Sequence, residues 1–533
     1  MFDVVVRDGQ VIDGTGKDRF SADVAIQGDK IVKIGKVSAT EANRIIDADG
    51  MIVAPGFIDI HAHEYSEYLE ARLDSRLRQG VTTEVIGNCG ESLAPVIGKG
   101  IEVVKNMLKT FGQEAANVDI PWSSMAEHLD YMDKRGVITN YAMLVGNGTI
   151  RAAVIGLDDR KATSDELEEM KKLLAWAMEE GAWGLSSGLI YLPSMFADTA
   201  ELIELAKVSK QYGGIYASHI RGEHDPLLYS AIAEAIEIGR KAGISVEIAH
   251  LKLYGKQLWG KAEEILKMLD DARSEGIDVE ADTYPYTASH TTLSAILPDW
   301  MQEGGTEKMV ERLNQPEMRK KAKEEISAGK VIFFKGIGWE DVKITHSDLD
   351  ETLDGKSIAQ IAQQRQKDPC ETAFDLLADD PTLRAIYFAM NEDDVRTILK
   401  HPHVKIGSDS YALSSQSRLA KGKPHPRCYG TFPRVLGKYA REEKLFTLEQ
   451  AIQKMTSLSA QKIGIPNRGV LKENAYADIV VFDPETVRDK ATFENPHQYP
   501  AGIEFVILNG QVVVENGQYN GKLAGKTLRR GRQ

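Results

Sequence analysis

The chain has 533 residues, 42% of them hydrophobic, so it is long enough for one large barrel with additions or for more than one ordinary domain. Its 65 basic and 79 acidic residues give a net charge of −14, and with no block of basic residues this composition argues against nucleic-acid binding. Three cysteines exclude a disulfide framework, no apolar stretch reaches the roughly 18 residues of a membrane span, and MFDVVVRDGQ does not resemble a signal peptide, so we expect a cytoplasmic protein.

Both ends of the chain carry runs of valine and isoleucine, cut by Asp-Gly and Gly-Asp pairs near the start. Such pairs are typical of β-hairpin turns. The runs are FDVVVRDGQVID and SADVAIQGDKIVKIG near the start, and ADIVVFDPETV and FVILNGQVVVENG near the end. We therefore predict one small β domain built from residues 1–55 and 461–533, with a second domain of residues 56–460 inserted between its halves.

Within residues 56–460, short apolar runs alternate with amphipathic segments such as SDELEEMKKLLAWAMEEG and LLYSAIAEAIEIGRKAG, whose apolar residues follow helical spacing. The predicted buried strands are Phe57–His61, Thr82–Ile86, Thr139–Val145, Trp183–Ser187, Gly214–His219, Ser245–His250, Ile277–Asp282 and Val404–Ser408. This alternation of strands and helices predicts an α/β fold, a parallel (β/α)8 TIM barrel.

The stretch between the last two predicted strands is too long for a single helix. We expect an insertion between strands seven and eight, from Thr291 to about Ser347. Its segment VIFFKGIGW is predicted to be a strand.

Active sites of TIM barrels lie at the carboxyl ends of the strands, and metal-compatible side chains occur at five of these predicted ends. His61 and His63 follow strand one, and because strand residues two apart face the same way, both imidazoles can point at one spot. Cys89 follows strand two between glycines. The remaining candidates at strand ends are His219, His250 and Asp409.

Each candidate alone has an ordinary structural explanation. A single histidine or cysteine is commonly a core residue, and an aspartate after Gly-Ser is commonly a helix cap. Six metal-compatible groups at one end of one barrel nevertheless favour a metal site. Six other histidines have no such placement and are interpreted as structural or surface residues: His128, His224, His346, His401, His403 and His497.

The segments GFIDIHAH, GVTTEVIGNCG, ASHIRGE, EIAHLK, GSDS and HPRCYGTFPRVLGKY, in this order, resemble the amidohydrolase superfamily and, within it, the D-aminoacylases or N-acyl-D-amino-acid deacylases. The resemblance implies a TIM barrel with a small β-sandwich domain. It also implies Zn²⁺ held tightly by Cys89, His219 and His250, with a weaker second metal near His61, His63 and the general base, Asp409. The predicted fourth strand, GAWGLSSGL, lacks the lysine of hydantoinase and dihydroorotase sites.

The resemblance further implies zinc-dependent hydrolysis of the amide bond of N-acyl-D-amino acids. Zinc lowers the pKa of bound water from near 16 to roughly 7, which provides a hydroxide at neutral pH. Asp409 would accept a proton from this water and pass it to the departing amine. Lys252, Tyr284 and Arg427 match substrate-carboxylate positions of the family, although the two cations also fit surface ion pairs.

Substrate choice is less well defined by the sequence. Tyr191, Leu192, Leu297 and Met390 predict a mostly apolar pocket for neutral or hydrophobic D-amino acids, and Asn147, where many relatives have histidine, has no assigned role. Two alternatives stay open: a dipeptidase or cyclic-amide hydrolase on the same scaffold, and a non-enzymatic scaffold protein. The sequence leaves open the acyl group, the number of metals and the oligomeric state.

Overall fold

The barrel consists of eight parallel strands in the computed structural model, which describes residues 1–109, 111, 115 and 117–531. In chain order, barrel strands one to eight are Phe57–Asp59, Val81–Ile86, Asn140–Met143, Gly184–Gly188, Ile215–His219, Val246–Ile248, Val279–Thr283 and Val404–Ile406. Val145–Gly146 continues strand three and pairs with strand four. Ser410–Tyr411 pairs with Ala62–His63 and joins strand eight to strand one. The predicted TIM barrel is confirmed.

Side chains also link barrel strand one to the residues that follow strand eight. Buried Arg76 donates hydrogen bonds to Asp59 and to the Ser410 carbonyl, and its Nη1 lies 2.7 Å from Ser408 Oγ. The Asp59 carboxylate in turn accepts the Ser408 backbone N–H at 2.9 Å. Arg76 Nε lies 3.7 Å from the buried Glu84 carboxylate.

We expect Arg76→Met to destabilise the fold by about 3–5 kcal/mol, because Asp59 and Glu84 would stay buried without their cation. Denaturant unfolding measures this change. The control is Arg160→Met, which removes an ion pair with Glu166 at the surface and should destabilise the fold far less, because exposed ion pairs contribute little. Equal effects of the two substitutions would contradict the assigned role of Arg76.

The helices lie between the strands, and local signals set their limits. Thr163 begins one helix with a capping box, in which its hydroxyl accepts the Glu166 N–H at 3.3 Å while the Glu166 carboxylate accepts the Thr163 N–H at 2.8 Å. The α-helices are Tyr65–Leu69, Gly100–Lys109, Met125–Arg135, Asn147–Val154, Ser164–Glu179, Thr199–Gln211, Leu227–Ala242, Ala262–Ser274, Asp299–Gln302, Thr306–Leu313, Pro316–Ser327, Ile358–Arg365, Pro369–Asp379, Glu392–Lys400, Arg427–Arg434, Leu448–Met455 and Ser457–Ile463.

The two ends of the chain form one nine-stranded sheet. Its N-terminal and C-terminal parts meet where Ile52–Pro55 pairs antiparallel with Ile479–Phe482. The other strands are Val4–Val11, Phe20–Gln27, Lys30–Gly35, Ile45–Asp47, Ile503–Leu508, Gln511–Glu515 and Gln518–Tyr519. The predicted β domain made from both ends is confirmed. We propose limits near residues 55 and 460, although the late strand Thr527–Leu528 pairs with barrel strand three.

The insertion between strands seven and eight is longer than the predicted range of Thr291 to Ser347. It contains an antiparallel sheet of Ser289–Thr292, Arg384–Tyr387 and Val342–His346, with Arg384–Tyr387 in the centre. The prediction that VIFFKGIGW is a strand is wrong: Ile332–Phe334 is a 3-10 turn, and Gly336 follows at a φ of 85°. This conformation is outside the β region and suits glycine.

Among the residues that the structure describes, no helix is both long enough and apolar enough to cross a membrane.

Candidate metal and active site

The predicted ligand residues meet at the carboxyl end of the barrel. They are His61, His63, Cys89, His219, His250 and Asp409. Possible ligand atoms of His61, Cys89, His250 and Asp409 all lie within 4.8 Å of one another. A second such group consists of His219, Glu223 and His250, so His250 belongs to both. The barrel thus brings together residues that lie far apart in the chain.

The Cys89 sulfur lies at the centre of this cluster. Its Sγ is 3.3 Å from His61 Nε2, 3.6 Å from His250 Nε2 and 3.7 Å from His219 Nδ1. Burial opposes ionisation of the thiol, but His61 and hydrogen bonds from His219 and His250 hold the Cys89 pKa well below its usual value. The arrangement therefore favours a thiolate, the form in which cysteine binds metals.

The spacing of these atoms matches a zinc site. Zn–S bonds of about 2.3 Å and Zn–N bonds of about 2.0–2.1 Å at tetrahedral angles place sulfur and nitrogen about 3.5 Å apart. The three measured separations, 3.3, 3.6 and 3.7 Å, lie close to this value. A sulfur and imidazole nitrogens are also the ligand types that zinc prefers.

The backbone at three of these residues adopts a conformation that is rare outside glycine. The φ angles are 55° for Cys89, 36° for His250 and 49° for Asp409. Such strain is concentrated at functional sites, where the surrounding structure compensates for it. At Cys89, part of this support is a close contact with Gly188, since a Cβ at position 188 would lie 1.9 Å from the Cys89 carbonyl oxygen.

His61 and His63 share one neighbouring carboxylate, that of Asp409. His61 Nε2 faces Cys89, and its Nδ1 lies 3.4 Å from Asp282, which also accepts the His250 backbone N–H at 2.9 Å. His63 Nε2 lies 3.2 Å from Asp409 Oδ1, and the two imidazole rings are 5.6 Å apart. The expected convergence thus holds at Asp409, whose Oδ1 also lies 3.6 Å from His61 Nε2.

A buried carboxylate orients His250. Glu223 Oε1 lies 2.9 Å from His250 Nδ1, so an N–H at Nδ1 leaves Nε2 facing Cys89. Carboxylate–histidine pairs of this kind fix the tautomer of metal ligands. Lys252 forms an ion pair with the same Glu223 and lies beside His250 Nδ1. The His219 Nε2 has no hydrogen-bond partner among the residues described.

Asp409 has the contacts of an ionised carboxylate. Its Oδ2 accepts a hydrogen bond from Arg427 Nη1 at 2.7 Å. Burial disfavours the charged form, but the guanidinium of Arg427 and the imidazoles of His250 and His63 hold the pKa of this carboxyl well below its usual range. Asp409 is therefore a proton acceptor next to the metal-compatible cluster.

The three predicted carboxylate-binding residues form one group around Tyr284. Arg427 Cζ lies 4.8 Å from the centre of the Tyr284 ring, and Lys252 Nζ lies 5.7 Å from it. The Tyr284 hydroxyl and Arg427 Nε are buried and have no hydrogen-bond partner in the described part of the chain. Unsatisfied polar atoms of this kind are costly, and a ligand can supply the missing partner.

An open cavity leads to Cys89 and Asp409, and its lining differs from the predicted apolar pocket. The lining includes Tyr191, as expected, but Leu297 and Met390 do not line it, because they pack into hydrophobic clusters of the core. Polar and aromatic residues line the rest: His63, Tyr65, Glu91, His290, Thr291, Thr292, Arg384, Tyr411 and Arg427, together with Met107.

Asn147 lies outside this cavity lining. Its side chain is fully buried at the start of a helix, where Oδ1 accepts a hydrogen bond from Ser194 at 2.6 Å and Nδ2 donates one to Glu201 at 3.3 Å. These bonds give Asn147 a structural role.

Several residues near the site were not predicted. His290 and Arg384 line the cavity, and His425 accepts the Arg427 backbone N–H at 3.1 Å and donates to the Ala288 carbonyl at 2.9 Å. Asp282 could have been found from the sequence, because it lies two residues before Tyr284 and strand alternation gives both the same orientation. His425 occurs within the HPRCYG segment, next to Arg427.

Two curated proteins are similar to nearly the whole chain. A D-aminoacylase of Alcaligenes xylosoxydans xylosoxydans is 36% identical over 99% of this chain and 98% of its own. An N-acyl-D-glutamate deacylase of the same organism is 37% identical over 99% of this chain and 96% of its own.

A solved structure is also similar to nearly the whole chain. The N-acyl-D-glutamate deacylase of Bordetella bronchiseptica, in complex with zinc and a phosphonate inhibitor that mimics the tetrahedral intermediate, superposes with a TM-score of 0.83 at 34% identity, over 99% of both chains. The model of the amidohydrolase family matches residues 44–514. The chain therefore belongs to the amidohydrolase family.

Proposed function

We propose that this protein hydrolyses the amide bond of N-acyl-D-amino acids and releases a carboxylate and the free D-amino acid. The observation that carries the proposal is the Cys89 sulfur, within 3.7 Å of three imidazole nitrogens and beside the Asp409–Arg427 pair. The D-aminoacylase and N-acyl-D-glutamate deacylase relatives support this substrate class and the D configuration of the amino acid.

Cys89, His219 and His250 would hold the tightly bound zinc in this proposal. His61, His63 and Asp409 would offer a second and weaker position. Bound zinc supplies a Lewis acid that polarises a carbonyl group and lowers the pKa of water. Glu223 and Asp282 keep His250 and His61 in the orientation that this binding needs.

Asp409 transfers the proton of the reaction. It is held ionised, so it accepts a proton from the attacking water through Oδ1, while Oδ2 stays bonded to Arg427 at 2.7 Å. Its low pKa makes the protonated carboxyl a good acid, and this acid then protonates the departing amine. An amine that leaves without this proton would be a poor leaving group.

The group of Arg427, Tyr284 and Lys252 binds the carboxylate of the amino acid. Arg427 supplies a planar guanidinium with an unpaired Nε, and Tyr284 supplies a hydroxyl without a partner in the described chain. This group also disfavours the alternative of a neutral cyclic amide, which has no carboxylate to bind. A scaffold role is disfavoured by the complete set of metal-compatible side chains.

Paired enantiomers test the proposed reaction. Zinc-loaded protein should release amine from N-acetyl-D-methionine or N-acetyl-D-glutamate and leave the L-enantiomers nearly untouched. A chelator should remove this activity, and added zinc should restore it. Equal hydrolysis of the D- and L-enantiomers would contradict the proposed selectivity for D-amino acids. If the protein cleaved only dipeptides, the proposed substrate class of N-acyl-D-amino acids would be wrong.

We also propose a cytoplasmic location. Three cysteines, all buried, are free of disulfides in the structure, as suits a reducing compartment. Cell fractionation tests this, and recovery of the protein outside the cytoplasm would contradict it.

A further inference from the structure

Two arginines line the site cavity, and only one of them has a carboxylate partner among the residues described. Arg427 Nη1 bonds Asp409 at 2.7 Å. Arg384 forms no ion pair in the described chain, and its buried Nε has no hydrogen-bond partner. Its Cζ lies 5.8 Å from the ring centre of Tyr411. Arg384 is therefore a cation without a paired carboxylate among the residues described, in a cavity that reaches Cys89 and Asp409.

The insertion fixes the position of Arg384. It begins the central strand Arg384–Tyr387 of the inserted sheet and pairs with Thr292. The next residues on that strand, Ala385 and Tyr387, pack into the core of the insertion, so alternation turns Arg384 away from this core. Arg384 and Tyr411 line both the site cavity and an adjacent outer cavity, and they lie between the two.

The carboxylates of the site cavity form no hydrogen bond with Arg384 in the described part of the chain. Glu91 attracts Arg384 across the cavity, but its Oε2 accepts a hydrogen bond from Tyr65 at 2.8 Å. A partly buried guanidinium without a partner is costly, and a bound carboxylate removes this cost through charge-assisted hydrogen bonds. The site thus has a cation left over after the amino-acid carboxylate has been assigned to Arg427, Tyr284 and Lys252.

We propose that Arg384 binds a second carboxylate of the substrate and so makes the protein selective for doubly acidic N-acyl amino acids. The inference rests on the proposed function and gives its substrate class. The second carboxylate belongs either to the amino-acid side chain or to the acyl group. A pocket that contains Arg384 takes the place of the predicted apolar pocket, because Leu297 and Met390 pack into the core.

Two substrate pairs, each matched in size, test the proposal and distinguish the two sources. A comparison of N-acetyl-D-glutamate with N-acetyl-D-glutamine tests a side-chain carboxylate. A comparison of N-succinyl-D-alanine with N-succinamoyl-D-alanine tests a carboxylate of the acyl group. The zinc-loaded wild type should prefer the acid in one pair. In Arg384→Met, the ratio of kcat/KM for acid over amide should fall by roughly 10- to 100-fold, as expected for hydrogen bonds to a charged group.

Two further variants serve as controls. Arg384→Lys keeps the charge and should retain part of the preference for the acid. Lys421→Met removes one positive charge from the outer cavity, where Lys421 pairs with Asp348 at 2.6 Å, and should leave the ratio unchanged. A ratio that is the same in wild type and Arg384→Met, or no preference for the acid in either pair, would overturn the proposal.

A binding measurement separates this proposal from the proposed reaction. The analogues are N-methylsulfonyl-D-glutamate and N-methylsulfonyl-D-glutamine for the first pair, and N-(2-carboxyethylsulfonyl)-D-alanine and its carboxamide for the second. A sulfonamide replaces the scissile amide in each of them, so calorimetry reports their affinity without turnover. If no substrate is hydrolysed but Arg384→Met weakens binding of one acidic analogue about tenfold or more, the reaction is wrong and the role of Arg384 stands. If this substitution weakens binding of none of them, the role of Arg384 is overturned, whether or not hydrolysis occurs.

Discussion

Replacing Asp409 with asparagine should lower kcat by about 10²- to 10⁴-fold, the contribution expected of a general acid–base group. The amide has the size of the carboxylate but cannot accept the proton of water or pass it to an amine. The fold should survive, because asparagine is among the residues that best tolerate the observed φ of 49°. The tight zinc should also stay, since Cys89, His219 and His250 are unchanged.

Steady-state kinetics and metal analysis of the same preparations measure both parts of this result. The matched control is Asp348→Asn, which changes an aspartate outside the site that pairs with Lys421. It should leave kcat within about twofold of wild type, as expected of a surface substitution. A variant of Asp409 that hydrolyses its substrate at the wild-type rate would show that another group transfers the proton.

Replacing Cys89 with alanine should remove both the bound zinc and the activity. The sulfur lies within 3.7 Å of ring nitrogens of three histidines, so its loss would remove the ligand at the centre of the cluster. Alanine also carries a Cβ, so the backbone strain at a φ of 55° does not change.

Zinc content per chain after gel filtration measures this effect and should fall from about one to nearly none, as expected on loss of a ligand from a tetrahedral site. Cys370→Ala is the control, because Cys370 is also buried and free but lies in the core of the insertion. Zinc retained at full occupancy in Cys89→Ala would contradict the assignment of the sulfur as a ligand.

The sequence was sufficient to predict the barrel and the main cluster for a physical reason. Strands of a parallel barrel end at one face, so residues that follow different strands, such as Cys89 and His250, must lie close together. The same alternation rule predicted that His61 and His63 would converge. It could not predict that both imidazoles would meet at one oxygen of Asp409, because Asp409 follows strand eight, far along the chain.

The parts that were missed depend on contacts between distant segments. The sequence places Glu223 in the loop after strand five, but no local pattern reports its contact with His250. Arg384 reaches the cavity because its strand pairs with Ser289–Thr292, more than 80 residues earlier in the chain. The insertion was predicted to end near Ser347, and Arg384 lies beyond this limit. The pocket was predicted to be apolar from other residues, and Arg384 was not among them.

The central claim is that Cys89 and histidines hold the zinc that the reaction uses. X-ray absorption at the zinc edge of the active protein tests it most directly, because sulfur and nitrogen neighbours differ in distance and scattering. We expect one sulfur at about 2.3 Å and nitrogen or oxygen ligands at about 2.0–2.1 Å. A zinc shell of nitrogen and oxygen alone in the active enzyme would contradict the account.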